Sequence, residues 1–202
     1  ASMEEAKSLR IVPGSAFVYG LNADTGVLIP TFGDAGKVNL RNVRGTDPEQ
    51  NLVSQGSPVS LYKNVFMTSG GVPENNPSVP GDLRGWDVKT GKLVWTFHTI
   101  PRPGEFGNDS WLNDSWKDRT GNNVWSFTLT VDEQRGLVYL PVSGPGMNYY
   151  GGDRPGNNLF TSLALGNFSY LRCIWSAAQF QTIAQLVLQD APGGLVKPAV
   201  AM

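Results

Sequence analysis

Apolar and polar residues alternate along Leu83 to Val88 and again along Lys92 to His98, where Leu93, Trp95 and Phe97 share one side. A period of two is the signature of half-buried strands, so the pair reads as strand, tight turn, strand across Thr90-Gly91. Ser60-Leu61-Tyr62 and Val65–Ser69 flank Lys63-Asn64, a two-residue hairpin turn. Val124–Val131 and Leu137–Val142 flank Asp132–Gly136 in the same way, and residues 14–32 form a further strand-turn-strand unit around Phe17-Val18-Tyr19. Residues 33–56, 70–82, 99–120 and 143–158 have no period and are rich in Gly, Pro and Asn, so they read as long loops. After Phe160 the texture changes. Phe180, Ile183, Ala184 and Val187 fall at i, i+3, i+4 and i+7, which predicts a helix over Ala177–Leu188. The last twelve residues read as frayed.

One phrase repeats. Asp87-Val88-Lys89-Thr90-Gly91 is echoed by Asn22-Ala23-Asp24-Thr25-Gly26, a spacing of 87 − 22 = 65 residues. The Thr25 hydroxyl and the Asp24 carboxylate can accept backbone N–H groups across such a turn, and Gly26 can take its positive φ. Repeats of supersecondary size point to solenoids or propellers. A third copy is due near Ser162-Leu163-Ala164-Leu165 and does not come.

Composition supports short strands over long helices: among 202 residues there are 24 Gly, 14 Pro and six Trp. Charged residues make up only 16%, and the net charge of -1 gives no surface for nucleic acid. The single cysteine, Cys173, excludes an internal disulfide and a multi-cysteine metal cluster. No window approaches the roughly 18 apolar residues of a membrane span, and the first residues do not read as a signal peptide.

Gly81-Asp82-Leu83-Arg84-Gly85-Trp86-Asp87-Val88-Lys89-Thr90-Gly91-Lys92-Leu93-Val94-Trp95 closely resembles the pyrroloquinoline-quinone (PQQ) dependent dehydrogenases, above all their glucose dehydrogenase-like branch. Gly121-Asn122-Asn123-Val124-Trp125-Ser126, then Val138-Tyr139-Leu140-Pro141-Val142, then Tyr149-Tyr150-Gly151-Gly152-Asp153-Arg154-Pro155-Gly156-Asn157-Asn158-Leu159-Phe160 continue the resemblance in order. It covers residues 14–165. It implies an all-β chain, about three blades of an eight-bladed propeller with tryptophan docking motifs, over residues 1–165. It implies PQQ beside a Ca²⁺ ion, and oxidation of a sugar or alcohol hydroxyl by hydride transfer to the quinone. A quinone or cytochrome electron acceptor and a periplasmic or exported location follow from the same resemblance.

A planar tricarboxylate needs an aromatic floor and cationic or hydroxyl partners. The resemblance places Trp125 as the stacking platform, with a core tryptophan as the other reading. It places Ser69 near the cofactor, against a solvated strand end. Arg84 meets a cofactor carboxylate or pairs with a surface acid. Ser143 falls near the calcium-side position, where the segment Ser-Gly-Pro-Gly-Met departs from the family pattern. No catalytic residue is assigned. His98, the only histidine, reads as structural, and Asp109, Asp114 and Asp118 as solvated loop acids with substrate contact as the alternative.

The resemblance ends inside a strand. The His-His-Asp-x-Trp-Asp segment expected of the family is absent after Leu165, and residues 166–202 read as an atypical tail from a shifted frame or an unrelated join. The expectation is a propeller fragment that is inactive alone. A non-catalytic propeller-like binding module is the alternative.

Overall fold

A computed structural model describes residues 9–42, 52–73, 79–117, 119, 124, 129–134, 136–146 and 150–161, together with two strands nearer the C-terminus. Three antiparallel sheets follow one another along the chain. The first contains β1 (Leu9–Gly14), β2 (Phe17–Asn22) and β3 (Lys37–Asn39). The second is a four-stranded meander of β4 (Ser60–Tyr62), β5 (Val65–Ser69), β6 (Leu83–Asp87) and β7 (Leu93–Phe97). The third comprises β8 (Thr130–Asp132), β9 (Leu137–Pro141), β10 (Ile183–Val187) and β11 (Lys197–Val200), also in sequence order.

The hairpin at Lys63-Asn64 forms as the pattern predicts: Tyr62 pairs with Val65, and Lys63 takes φ 49. The repeated phrase is repeated in its hydrogen bonds. Asn22 Oδ1 accepts the N–H groups of Asp24 and Thr25 and the Thr25 hydroxyl; Asp87 Oδ1 accepts those of Lys89 and Thr90 and the Thr90 hydroxyl. Thr25 Oγ1 then accepts the N–H of Val27, and Thr90 Oγ1 that of Lys92, both at 3.3 Å. Gly26 and Gly91 close the two turns at φ 69 and φ 67. The turn carboxylate or amide is thus the first residue of the phrase, Asn22, and not Asp24.

The middle sheet has both faces covered. Phe66 and Trp86 pack with Val18, Phe32, Val38 and Leu40 of the first sheet and its loops. Met67, Leu83 and Phe97 pack with Val124, Val138, Leu140 and Val142 of the third. Adjacent residues on one strand point to opposite faces, so consecutive Phe66 and Met67 belong to different cores. This also explains why β5 and β6 are buried almost throughout. Sheets stacked face to face in chain order make an arc of propeller blades.

Several elements differ from the sequence pattern. β3 lies inside the stretch read as a loop at 33–56. It is three residues long and reaches β2 only after an excursion pinned by Ile29 N–H to Gly20 O and Gly20 N–H to Gly36 O. Ile183–Val187 is a strand paired with β9, where the spacing predicted a helix; residues 177–182 and 188 lie outside the described residues. Ile-Ala-Gln-Leu-Val fits either period, and the open ladder of β9 decides between them. Lys197–Val200, read as frayed, pairs with β10. In the predicted strand 124–131, Val124 makes an isolated bridge to Val142 and β8 begins at Thr130; residues 125–128 lie outside the described residues.

Candidate functional site

The long loops leave from one end of the middle sheet. The ladder places the end of β5, the start of β6 and the end of β7 together, with Ser69 opposite Leu83 and Leu83 opposite Phe97. Loop 70–82 and the excursion after Phe97 both depart there, while the tight turns 63–64 and 88–92 lie at the other end. The excursion then meets the loop that follows β9. Asn158 N–H donates to Ser110 O, and Leu112 N–H to Pro155 O. Loops held on a rigid scaffold at one face are where binding residues concentrate.

Polar groups are buried at this end. Ser69 is 1% exposed; its N–H donates to Gln55 Oε1 at 3.1 Å, and its hydroxyl oxygen finds no hydrogen-bond partner among the described residues. Gln55 is equally buried, held by Nε2 donating to Ser57 O at 2.8 Å. Arg84 donates from Nη1 to Leu40 O at 2.9 Å. Its guanidinium is buried, not set on a surface edge, and burial lowers its affinity for a proton, opposed by nearby Asp82. Asp82 accepts the Thr99 N–H, and burial pushes its carboxyl above the ordinary range against the opposing pull of His98, Arg84 and Arg102.

Ser69 and Arg84 do not share a surface. Ser69 is on the Met67 side of β5, facing the third sheet, whereas Arg84 is on the Trp86 side of β6, facing the first. A flat ligand lying on one blade face cannot touch both. Ser143 follows the Val142 bridge and donates its hydroxyl to Gly144 O at 3.1 Å, with no group of three His, Cys, Asp or Glu side chains suited to a metal among the described residues. The described residues therefore do not by themselves fit a Ca²⁺ site, which takes six to eight oxygens. Trp125 lies outside the described residues; its neighbour Val124 is buried against the third sheet.

His98 has a structural pairing, with Nδ1 2.7 Å from Glu105 Oε1, while Glu105 Oε2 accepts the Arg102 N–H. Asp109 is exposed and Asp114 pairs with Lys117, as solvated loop acids do; Asp118 lies outside the described residues. Trp111 is buried. Sequence reasoning missed Gln55, Asp82 and two buried arginines, Arg119 and Arg154. The Asp-Arg-Pro-Gly turn was the available signal for Arg154, since a charged residue inside a turn motif needs a partner. An open cleft of about 460 Å³ between the first two sheets is lined by Phe17, Lys37, Asn39 and Trp86 among others. Lys37 there rests over the Phe17 ring at 5.0 Å.

Residues 2–165 match a family model described as the glucose/ethanol/alcohol dehydrogenase β-propeller domain of PQQ enzymes. The chain is 31% identical over 145 residues to the glycerol dehydrogenase large subunit of Gluconobacter thailandicus, covering 66% of this chain and 18% of that protein. It is 31% identical over 150 residues to quinoprotein glucose dehydrogenase A of Acinetobacter calcoaceticus, covering 68% and 17%. With the quinoprotein glucose dehydrogenase of Escherichia coli (strain K12) it shares 30% over 172 residues, covering 82% and 20%. The chain thus spans 17–20% of the length of these relatives. Among solved structures, it resembles the quinohemoprotein alcohol dehydrogenase from Comamonas testosteroni, with a TM-score of 0.62 at 17% identity, over 93% of this chain and 26% of that one. It also resembles the quinohemoprotein alcohol dehydrogenase ADHIIG from Pseudomonas putida HK5, with a TM-score of 0.61 at 20% identity, over 77% and 23%. At these identities the structural likeness concerns the fold.

Proposed function

Because the chain belongs to the PQQ-dependent glucose/ethanol/alcohol dehydrogenase β-propeller family, we propose that it forms consecutive blades of a quinoprotein oxidoreductase acting on a sugar or alcohol hydroxyl. The observation that carries this reading is the coincidence of a family match over residues 2–165 with buried polar groups where the long loops leave the middle blade. The chemistry a bound PQQ supplies is an electrophilic quinone that accepts hydride from the carbon bearing the substrate hydroxyl.

The residues on this chain would bind and orient. Ser69 offers a cofactor carboxylate a buried hydroxyl that has no partner among the described residues, and Trp125 offers a flat platform for the ring system. Arg84, facing the other blade interface, holds the first two blades together through Leu40 O and acts on the site only through that packing. Ser143 contributes at most one oxygen to Ca²⁺, whose remaining ligands come from other parts of the parent enzyme. Residues 1–165 are the propeller segment in this reading and 166–202 a tail of different origin, two strands of which add to the third sheet. Export to the periplasm and a quinone or cytochrome acceptor accompany the parent activity. No helix among the described residues is long and apolar enough to cross a membrane.

The 202-residue chain alone is inactive, because the reacting substrate needs groups from blades it does not contain. Purified chain given PQQ, Ca²⁺, a reducible dye and glucose or ethanol should reduce dye no faster than the blank without cofactor. Substrate-dependent reduction would overturn this.

A further inference from the structure

The excursion after Phe97 and the loop after β9 are zipped together by hydrogen bonds that include Asn158 N–H to Ser110 O, Leu112 N–H to Pro155 O, Leu159 N–H to Ser110 Oγ and the Ser115 hydroxyl to Pro155 O. Gly156, at φ 105, belongs to this seam, and a Cβ there would collide with the Ser110 carbonyl. The seam brings in two arginines from positions 35 residues apart, 154 − 119. Arg119 is 8% exposed and Arg154 6%.

Their partners are few. Arg119 Nη2 donates to the Asp153 carboxylate at 2.5 Å and to its carbonyl at 3.2 Å. Arg154 Nη1 donates to Asn158 Oδ1 at 2.9 Å. Four buried nitrogens, Nε and Nη1 of Arg119 and Nε and Nη2 of Arg154, have no partner among the described residues. A guanidinium carries five N–H donors and no acceptor. Leaving such donors dry and unpaired costs more than a hydrogen bond returns.

We infer that Arg119 and Arg154 form a binding site for a small oxyanion, a carboxylate or phosphate group, held between the two loops. Among the described residues the two guanidinium charges face one partly exposed carboxylate, Asp153, which leaves one positive charge for a ligand. On Arg154 the unused Nε and Nη2 form one edge of the fork, the arrangement that grips a carboxylate or phosphate through two N–H groups, and Arg119 adds single donors from Nε and Nη1. Room exists on the Arg154 side because residue 151 is glycine; a Cβ there would stand 3.3 Å from Arg154 Nη2. Burial and the neighbouring Arg119 charge both lower the proton affinity of Arg154, which a bound anion would relieve. The site shares no residue with the proposed cofactor contacts and does not rest on that reading, so a chain unable to bind PQQ would leave it intact.

The test uses the full 202-residue chain with labelled arginine, followed by NMR of the Nε–Hε signals. Sodium acetate and sodium phosphate are titrated in separate arms against sodium chloride at equal ionic strength. Two arginine signals should move saturably, and R119K and R154K should each remove one of them. Movement with acetate alone assigns a carboxylate ligand, and movement with phosphate alone a phosphate. If a variant fails to fold, the wild-type titration decides unaided. Absence of saturable movement with either anion beyond that seen with chloride overturns the inference.

Discussion

The indole of Trp95 occupies the space that a Cβ on Gly85 would need: Cε2, Nε1 and Cζ2 of the ring all crowd that position. The two residues are paired across β6 and β7. At the same spacing of 65 residues, Gly20 meets the ring of Phe32, whose Cγ would stand 2.5 Å from a Cβ. A glycine under an aromatic plate is therefore a feature of both blades, although the second aromatic is not a tryptophan and falls two residues off the repeat. The requirement at Gly85 is steric and owes nothing to its backbone angles. G85A should destabilise the chain by about 1–3 kcal/mol through overpacking, read by urea denaturation. The cost should shrink sharply in a W95A background, and an equal cost there would remove the Trp95 contact as its cause.

Asp87 holds its turn through one oxygen, which accepts Lys89 N–H, Thr90 N–H and the Thr90 hydroxyl. Asn22 does the same work in the first copy with an amide oxygen. D87N should therefore be nearly neutral, whereas D87A should cost about 1 kcal/mol. Comparison of the two unfolding midpoints checks it.

Gly26 and Gly91 have the same turn conformation but different surroundings. A Cβ at Gly26 meets nothing within 4 Å, whereas one at Gly91 meets Val38 Cγ2 at 2.6 Å and Gly33 N at 3.0 Å. Gly33 N–H also donates to Thr90 O, so the second turn docks on the first blade. G26A should cost about 1–2 kcal/mol for the left-handed backbone. G91A should cost clearly more, because blade contact is lost as well; equal costs would contradict the docking.

Burial raises the Asp82 carboxyl above its ordinary value of 3.8. The folded chain then binds a proton that the unfolded chain has already released, so stability is greatest below the ordinary value and falls as pH rises through the folded one. Asparagine has no charge to bury and keeps an acceptor for Thr99 N–H. D82N should therefore gain on the wild type as pH rises from about 3.5 to 7, measured by denaturant midpoints across that range. A gap that narrows with pH would show that the cations around Asp82 outweigh its burial.

Local chemistry made much of this legible in the sequence. Asp87, Thr90 and Gly91 fix a turn by themselves, and the alternation through Leu83–Val88 and Leu93–Phe97 fixes the strands beside it. What depends on assembly did not show. Ser69 and Arg84 are recognisable as candidates, yet their opposite faces follow only from the strand ladder. Arg119 and Arg154 meet because two loops zip along Ser110 and Asn158, which no spacing announces. Ile183–Val187 satisfies a helical and a strand pattern alike, and the open side of β9 selects the strand.

We propose that this chain carries part of a PQQ site, with Trp125 as its platform, and titrating the 202-residue chain with PQQ while following tryptophan fluorescence decides the matter. Saturable quenching in the wild type, with most of the quenched signal lost in W125F, is the expected result. No saturable quenching, or quenching unchanged in W125F, would contradict it.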